Sequence, residues 1–243
     1  MNDNLNNFPH KPVMVEEVLY YLQLRQGYTI VDCTVGSGGH ATKIIDKIKS
    51  DGLLIGIDKD MEILQIAKQN LSDTGGIFRL YHANYSDIDE VLRQAGINRV
   101  NGVLLDLGVS SMQLDRADRG FSFYKDGPLD MRMDRSNGIT AKKLIKKLSE
   151  RELEKLLRKY GEERLAKRIA TAIINEERKF GITSTTHLAA IVEHAVSKGK
   201  GKIHPATKVF QALRIAVNEE LENLEIFLDK IHKGKRLRIQ EAF

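Results

Sequence analysis

The residues best suited to chemistry follow the ends of three predicted strands. The glycine cluster Gly36-Ser37-Gly38-Gly39-His40 follows the first strand, and the carboxylates Asp58 and Asp106 follow the second and fourth. The carboxyl ends of parallel strands meet at one edge of a sheet, where open α/β sheets bind their ligands. Glycines let the backbone approach a ligand closely, and the free N–H groups of a helix start favour an anion or a carboxylate. These features predict a nucleotide-type cofactor at this edge.

The glycine turn by itself does not choose between two cofactors. The spacing Gly36-x-Gly38-x-x-Ala41 fits the relaxed dinucleotide fingerprint of NAD sites as well as an S-adenosylmethionine site, and a structural turn without ligand fits it too. Asp58 lies 20 residues beyond Gly38, at the position of the acid that binds ribose hydroxyls, and it is also suited to cap the next helix. A methyltransferase and an NAD oxidoreductase both remain open.

The loop after the fourth strand favours methyl transfer. Asp106 is followed by Leu107-Gly108-Val109-Ser110-Ser111, a short polar loop typical of methyltransferases that act on amino groups. A dehydrogenase needs a His, Tyr or Lys proton donor nearby, and this loop has none. Asp106, Ser110 and Ser111 are therefore the candidate catalytic residues, as acceptors that hold the target amino group in position.

The elements that must position these residues alternate between strand and helix. Tyr85 follows the third strand, where its ring is suited to pack against an adenine, and an ordinary surface aromatic is an equal alternative. This alternation predicts an α/β fold with a Rossmann-like parallel sheet. The strands are predicted at Tyr28–Thr34, Leu53–Asp58, Ile77–His82 and Val103–Leu105, and the helices at Val15–Leu24, Ala41–Lys49 and Met61–Asn70.

A second, all-α domain is predicted inside this fold. Residues 113–137 lack a helical period, although the alternation Leu129, Met131, Met133 indicates a short strand. Helical patterns follow from Thr140 to Ser197, and one long helix is predicted from Ile203 to about Ile231. We expect a methyltransferase domain in two parts, residues 1–112 and 204–243, with an inserted helical substrate-binding domain at residues 113–203.

Positive charge is concentrated in the inserted domain. Between Ile139 and Lys202 there are sixteen Lys or Arg against eight Asp or Glu, whereas the whole chain has a net charge of +5. A basic region of this kind predicts a polyanionic partner, and a solvated helical surface without partner is an equal alternative on charge alone. The one cysteine excludes disulfides and a thiolate metal site, and no segment is long and apolar enough for a membrane span, so we expect a cytoplasmic protein without metal.

Six segments of the chain form a distinctive series in order and spacing. They are Thr34-Val35-Gly36-Ser37-Gly38-Gly39-His40, Gly56-Ile57-Asp58, Leu104-Leu105-Asp106-Leu107-Gly108-Val109-Ser110-Ser111, Arg119-Gly120-Phe121-Ser122-Phe123, Leu129-Asp130-Met131-Arg132-Met133 and His204-Pro205-Ala206-Thr207. Together these segments resemble the RsmH (MraW) family from about His10 to Leu228. The resemblance implies a class I, Rossmann-like methyltransferase that uses S-adenosylmethionine to methylate the N4 amino group of a cytidine in the decoding region of 16S rRNA, in the small ribosomal subunit.

The resemblance also implies which residues form the sites, and a homodimer is compatible with it. The implied cofactor contacts are Gly38, Gly39, His40, Asp58, Tyr85, Asp106 and Gln113. The candidate substrate-binding residues are Asp130, Arg132, His204, Thr207, Phe210 and Arg214.

The family continues where this chain ends. Lys233–Phe243 stands in place of the closing strands of the family, so we expect a C-terminally truncated sheet in which Leu237 and Ile239 form the stub of strand five. A truncated sheet leaves an edge and apolar surface uncovered. The alternative function is therefore an RNA-binding protein with impaired catalysis.

Overall fold

The computed structural model of the protein describes residues 12–196, 204–232 and 238–239. The chain forms two compact units, one comprising Met1–Gly108 with Glu222–Phe243 and the other comprising Val109–Leu221. No helix within the described ranges is both long and apolar enough to cross a membrane.

The first unit is an α/β unit with parallel strands. The elements are α1 (Val15–Leu22), β1 (Thr29–Asp32), α2 (Gly39–Ile48), β2 (Leu53–Asp58), α3 (Met61–Ser72), β3 (Ile77–His82), α4 (Ile88–Ala95), β4 (Arg99–Val100), β5 (Gly102–Leu104), α11 (Glu220–His232) and β6 (Arg238–Ile239). Four of these strands form one sheet in the order β3-β2-β1-β5, and Asp32 of β1 is in register with Gly56 of β2 and Leu104 of β5.

Both faces of the sheet are covered, as expected for parallel strands joined by helices. On one face Ile30 and Leu54 pack with the apolar side of α2, which carries Ile44, Ile45 and Ile48. On the other face Val31, Ile55 and Ile57 pack with α4 and with Phe227 of α11. The Rossmann-like α/β prediction is confirmed.

Strand β6 pairs in parallel with β4, with Arg99 opposite Arg238 and Val100 opposite Ile239. The prediction of a short fifth strand is thus confirmed at Ile239, while Leu237 lies outside the described residues. Only Asn101 separates β4 from β5, and its side-chain oxygen accepts a 2.8 Å hydrogen bond from the Thr29 N–H. This hydrogen bond connects Asn101, the residue between β4 and β5, to the first residue of β1.

The second unit is built from helices packed around one apolar core. Its core contains Leu153, Leu157, Ile169, Ile173, Leu188 and Leu213, all fully buried. The elements are α5 (Ser111–Asp115), α6 (Ala141–Lys147), α7 (Glu150–Gly161), α8 (Ala166–Lys179), α9 (Thr185–Val196) and α10 (Ala206–Asn218). Helix α10, which the sequence assigned to the second part of the methyltransferase domain, packs here on α7.

The short strand predicted from the alternation of Leu129, Met131 and Met133 is wrong. These three side chains are buried, but the backbone is irregular, and Met131 has a φ of 61°, which no extended strand adopts. Its N–H donates to the Arg119 carbonyl, and the Met133 N–H donates to the Asn218 side chain. The backbone partners are thus single groups on other segments, and among the residues that the structure describes no neighbouring strand supplies a ladder.

The single long helix predicted from Ile203 to about Ile231 is also wrong. Glu219 adopts the left-handed conformation, with φ 51° and ψ 39°, and so ends α10 at Asn218 before α11 begins at Glu220. Left-handed backbone at a non-glycine residue costs about 1 kcal/mol or more. The apolar stripe therefore continues from α10 into α11, and its helical period does not indicate the break at Glu219.

Helices α7 and α10 approach closely at Gly161. A Cβ atom at this position would lie 2.5 Å from the Lys208 carbonyl oxygen and 3.2 Å from the Ala212 Cβ atom. We expect Gly161→Ala to lower the free energy of unfolding by about 1–3 kcal/mol, because the backbone of α10 must shift to admit the methyl group. Urea denaturation followed by circular dichroism measures this, with Asn175→Ala on the exposed face of α8 as control. A loss equal to that of the control would contradict the close contact.

Candidate active site

The glycine turn between β1 and α2 is held in place by the protein itself. Gly36 and Gly38 have φ values of 53° and 94°, in the left-handed region that glycine adopts without strain. The Gly38 N–H donates to the Val35 carbonyl at 2.9 Å, and the Asn70 amide donates to the Ser37 carbonyl at 2.9 Å. The turn is therefore formed before any ligand arrives.

Asp58, at the end of β2, accepts backbone hydrogen bonds on both carboxylate oxygens. One oxygen accepts the Gly36 N–H at 2.9 Å, and the other accepts the Asp60 N–H at 2.9 Å. Each carboxylate oxygen keeps a further lone pair, so the group remains able to accept hydrogen bonds from a ligand. Burial raises the pKa of Asp58 to about 6, although the two backbone bonds act in the opposite direction.

Asp32, at the end of β1, is a site residue that the sequence reasoning missed. Its side chain is 1% exposed, and one oxygen accepts the Thr34 N–H at 3.2 Å. The other oxygen, Oδ2, has no hydrogen-bond partner within the described ranges of the chain. Burial raises the pKa of Asp32 to about 7, with further increases from the charges of Asp58 and Asp106. The available signal was its position, since Asp32 ends a strand as Asp58 does.

Asp106 follows β5 and presents its carboxylate to solvent. Its backbone N–H donates to the Thr34 hydroxyl at 2.7 Å, and its side chain is 57% exposed. The His40 Nδ1 atom lies 3.9 Å from the Asp106 carboxylate, and His40 Nε2 is 2.9 Å from the Val13 carbonyl oxygen. The His40 ring is thus buried and held at Nε2 by the Val13 carbonyl. The first unit brings together Asp32, Asp58, Asp106 and the glycine turn.

Tyr85, the predicted adenine neighbour, is 7% exposed in the first unit. It begins a short 3₁₀ turn, and its ring meets the Phe227 ring edge to face, with centroids 5.8 Å apart. The Lys230 ammonium group of the same helix donates to the Ser86 carbonyl at 2.6 Å and pairs with Asp89 at 2.5 Å. Helix α11 therefore fixes the position of this turn.

The predicted residues Ser110, Ser111 and Gln113 lie in the second unit and begin α5. The Ser110 hydroxyl accepts the Gln113 N–H at 3.2 Å, and the Gln113 side-chain oxygen accepts the Ser110 N–H at 3.0 Å. This reciprocal arrangement is a capping box, which satisfies two backbone donors at a helix start. Gln113 is 4% exposed, and Ser111 is partly exposed.

Both predicted substrate-binding arginines form ion pairs with carboxylates within the second unit. Arg132 makes two hydrogen bonds to the Asp130 carboxylate, at 2.7 and 2.9 Å, and the nearby guanidinium holds the pKa of Asp130 below its usual range against the effect of burial. Arg214 makes two hydrogen bonds to Glu220, at 2.9 and 3.0 Å. Bidentate pairs of this kind fix both side chains in one orientation.

The remaining predicted substrate-binding residues surround the start of α10. His204 pairs with Glu193 at 2.7 Å and stacks on the Phe123 ring, with centroids 4.4 Å apart. Its Nδ1 atom also accepts the Ala206 N–H at 3.1 Å. Thr207 is exposed, whereas Phe210 is 4% exposed and belongs to the apolar core. Asp130, His204 and Arg214 are thus each paired with a different side chain.

The fold and the strand-end residues define a Rossmann-like methyltransferase, for which S-adenosylmethionine is the cofactor. The sequence profile of the MraW methylase family matches residues 7–239. The chain therefore belongs to the MraW methylase family.

Individual relatives agree with this family. The chain is similar to the Ribosomal RNA small subunit methyltransferase H of Trichlorobacter lovleyi, with 48% identity over 91% of this chain and 71% of that protein. Its identity to the protein of the same name from Pelobacter propionicus is 49%, over 94% of this chain and 75% of that protein. For the Syntrophus aciditrophicus protein it is 51%, over 88% of this chain and 69% of that protein.

The raised pKa of Asp32 makes stability depend on pH. Between about pH 4 and 7 the unfolded chain loses this proton while the folded chain keeps it, so the free energy of unfolding falls as pH rises. We expect Asp32→Asn, which mimics the protonated group, to be more stable relative to the wild type at pH 8 than at pH 4 by about 2–4 kcal/mol. Urea unfolding at both pH values measures this, with the exposed Asp73→Asn as control. A difference that stays constant with pH would contradict the assignment.

Proposed function

We propose that the protein transfers a methyl group from S-adenosylmethionine to the N4 amino group of a cytidine in the 16S rRNA of the small ribosomal subunit. The observation that carries this proposal is the cluster of three carboxylates, Asp32, Asp58 and Asp106, beside a preformed glycine turn. The similarity to relatives named for methylation of small-subunit ribosomal RNA supports the class of substrate.

The charge of the cluster fits S-adenosylmethionine and disfavours a dinucleotide. This cofactor carries a sulfonium and an ammonium group, whereas NAD carries a pyrophosphate. The Oδ2 atom of Asp32 is buried without a hydrogen-bond partner in the described part of the chain, and burial together with two neighbouring carboxylates raises the pKa of this group. A cationic ligand is suited to satisfy this atom. A pyrophosphate at the same turn would lie beside three carboxyl groups, whose ionised forms repel it.

The chain offers a partner for each part of the cofactor. The backbone at Gly38 and Gly39 would accommodate the methionine portion, with Asp32 opposite its ammonium group. Asp58 would accept hydrogen bonds from the ribose hydroxyls, and the turn at Tyr85 would border the adenine. His40 would support the glycine turn through its contact with the Val13 carbonyl. Gln113 stays a predicted contact whose observed role is to cap α5.

S-adenosylmethionine supplies, when bound, an electrophilic methyl group. The lone pair of a cytosine amino group is delocalised into its ring, so the protein must accept the amino hydrogens and orient the nitrogen toward that methyl carbon. The exposed Asp106 carboxylate is suited to this, because it is a strong acceptor fixed at its backbone by Thr34. As the nitrogen–carbon bond forms, the sulfur–methyl bond of the cofactor would break and leave a neutral thioether. The nitrogen, now cationic and acidic, would give one proton to Asp106 or to water. Ser110 and Ser111 are further candidate acceptors.

The substrate side of the proposal is carried by the second unit. The polar side chains there are Asp130, Arg132, His204, Thr207 and Arg214. When RNA binds, the Asp130–Arg132 and Arg214–Glu220 ion pairs and the His204–Glu193 contact must open or remain as fixed hydrogen-bonding groups. Phe210 would act from the core by supporting the Phe123 ring, whose centroid is 5.0 Å from its own. A flipped cytidine requires an aromatic or apolar surface of this kind.

Asp58→Ala tests the ribose contact. Losing a charged acceptor for hydroxyl groups costs about 1.5–3 kcal/mol, so we expect S-adenosylmethionine to bind about 10- to 100-fold more weakly in calorimetric titration. Asp58→Asn, which keeps an oxygen for the Gly36 N–H, separates this effect from loss of the turn, and the exposed Asp73→Ala is the matched control. Unchanged affinity in both Asp58 variants would exclude the ribose contact.

Asp106→Asn tests the catalytic role. We expect kcat for methyl transfer to small-subunit RNA to fall about 100-fold or more, because the acceptor of the amino hydrogens loses its charge. The affinity for S-adenosylmethionine should change much less, since the amino group of cytidine is the proposed partner. Undiminished turnover would remove Asp106 from the mechanism, and absence of turnover in the wild type despite cofactor binding would refute the proposed activity.

A further inference from the structure

Helix α6 of the second unit has a face composed of lysines only. Lys142, Lys143, Lys146 and Lys147 are all exposed, and positions separated by three or four residues in a helix are neighbours on its surface. The opposite face is apolar, with Ala141 0% and Ile145 1% exposed and Leu144 packed against the core of the unit. We call Lys142, Lys143, Lys146 and Lys147 the lysine face.

The lysine face differs from three arginines of the same unit that form ion pairs with carboxylates. Arg132, Arg158 and Arg214 are each paired with a carboxylate within 3 Å. Within residues 12–196 and 204–232, by contrast, none of the four ammonium groups of the lysine face forms an ion pair or a hydrogen bond. Its positive charge is therefore available to a ligand, whereas the charge of these arginines is already compensated.

This arrangement is unfavourable for the helix itself. Lys142 and Lys146, and likewise Lys143 and Lys147, are like charges at spacing i, i+4, each costing about 0.2–0.5 kcal/mol. The helix dipole disfavours Lys142 and Lys143 in the first turn but favours Lys146 and Lys147 in the last turn, so the repulsion between neighbouring lysines is the part without compensation. A surface that breaks local rules of stability without compensation inside the protein is typical of a binding surface.

We propose that the lysine face binds backbone phosphates of the RNA substrate. The proposal rests on the proposed function, because that function supplies an RNA partner. Four uncompensated ammonium groups on one helix are suited to neutralise consecutive phosphates, an interaction that positions RNA without reading its sequence.

An anionic membrane is a weaker candidate for the same surface. Helices that lie on membranes insert an apolar face opposite their basic face. In α6 the apolar face is already buried in the core of the unit, so no apolar side chains remain for the bilayer. The geometry therefore favours a polyanion that is bound by charge alone.

The test compares two variants of the full chain that have the same change in net charge. In the first, Lys142, Lys143, Lys146 and Lys147 are all replaced by Gln, which preserves helix propensity. In the control, four exposed lysines of the first unit, Lys43, Lys47, Lys49 and Lys68, are replaced by Gln. The affinity for a fragment of small-subunit ribosomal RNA is measured by fluorescence anisotropy between about 50 and 200 mM salt, and circular dichroism verifies that both variants fold.

We expect the salt dependence to change only in the first variant. Each lost phosphate contact lowers the slope of log affinity against log salt by about 0.7–0.9, so four contacts lower it by about 3. The affinity near 100 mM salt should fall about 10-fold or more, while the control remains within about 2-fold of the wild type. The affinity for S-adenosylmethionine should be the same in both variants.

Several outcomes would overturn the proposal. Equal slopes for the two variants, or no RNA binding by the wild type, would exclude the lysine face as an RNA surface. Binding to phosphatidylserine vesicles that is lost in the first variant while RNA affinity is retained would assign the surface to membranes instead. A wild type that binds the RNA but transfers no methyl group would refute the proposed activity and leave the comparison of slopes valid.

Discussion

Burial of two carboxylates, Asp32 and Asp58, at the ends of adjacent strands is the constraint around which this edge of the first unit is arranged. Parallel pairing in register brings Asp32 beside Gly56 and Leu104, and the loops that follow bring Asp58 and Asp106 toward the same edge. Hydrogen bonds from Gly36, Thr34 and Asp60 compensate part of this charge. The negative charge that these hydrogen bonds do not compensate costs free energy, and binding of protons or of a cationic ligand lowers that cost. The buried carboxylates thus help to fix the glycine turn, through the hydrogen bond from Gly36 to Asp58, and they favour a cationic ligand.

The regular part of this edge could be predicted from the sequence. The continuous apolar run of Leu53–Asp58 indicates a strand buried on both faces, and the glycines after the first strand indicate a sharp turn into a helix. Asp58 and Asp106 were therefore recognisable as strand-end groups. Asp32 also ends a strand, but its role could not be recognised from the sequence. Its burial to 1% exposure and the lack of a partner for one oxygen depend on the loops that close over it. Neither property has a local sequence pattern.

The errors concern backbone that tertiary contacts force away from local preference. Glu is a good helix former, so the left-handed Glu219 between α10 and α11 has no signal in the sequence. Met131, also left-handed, interrupts an alternation that otherwise indicates a strand.

A count of Lys and Arg likewise identifies a basic region without showing which cations are paired. Arg132 and Arg214 are paired with acids two and six residues away, and only the structure distinguishes them from the lysines of α6.

Asn218 connects the irregular segment at residues 129–134 to the helical core. Its side chain donates to the Met131 carbonyl at 2.7 Å and accepts the Met133 N–H at 2.8 Å, and it is 6% exposed. One amide thus holds both peptide groups that flank Arg132, from a helix 85 positions away in the chain. In the described part of the chain the segment has no strand ladder; Arg119 and the start of α6 hold some of its backbone groups, and Asn218 holds the two beside Arg132. We therefore expect the peptide groups beside Arg132 and the end of α10 to open together in local unfolding. The amide proton of Met133 should consequently exchange with solvent only when the C-terminal end of α10 opens, although the segment has the backbone of a loop.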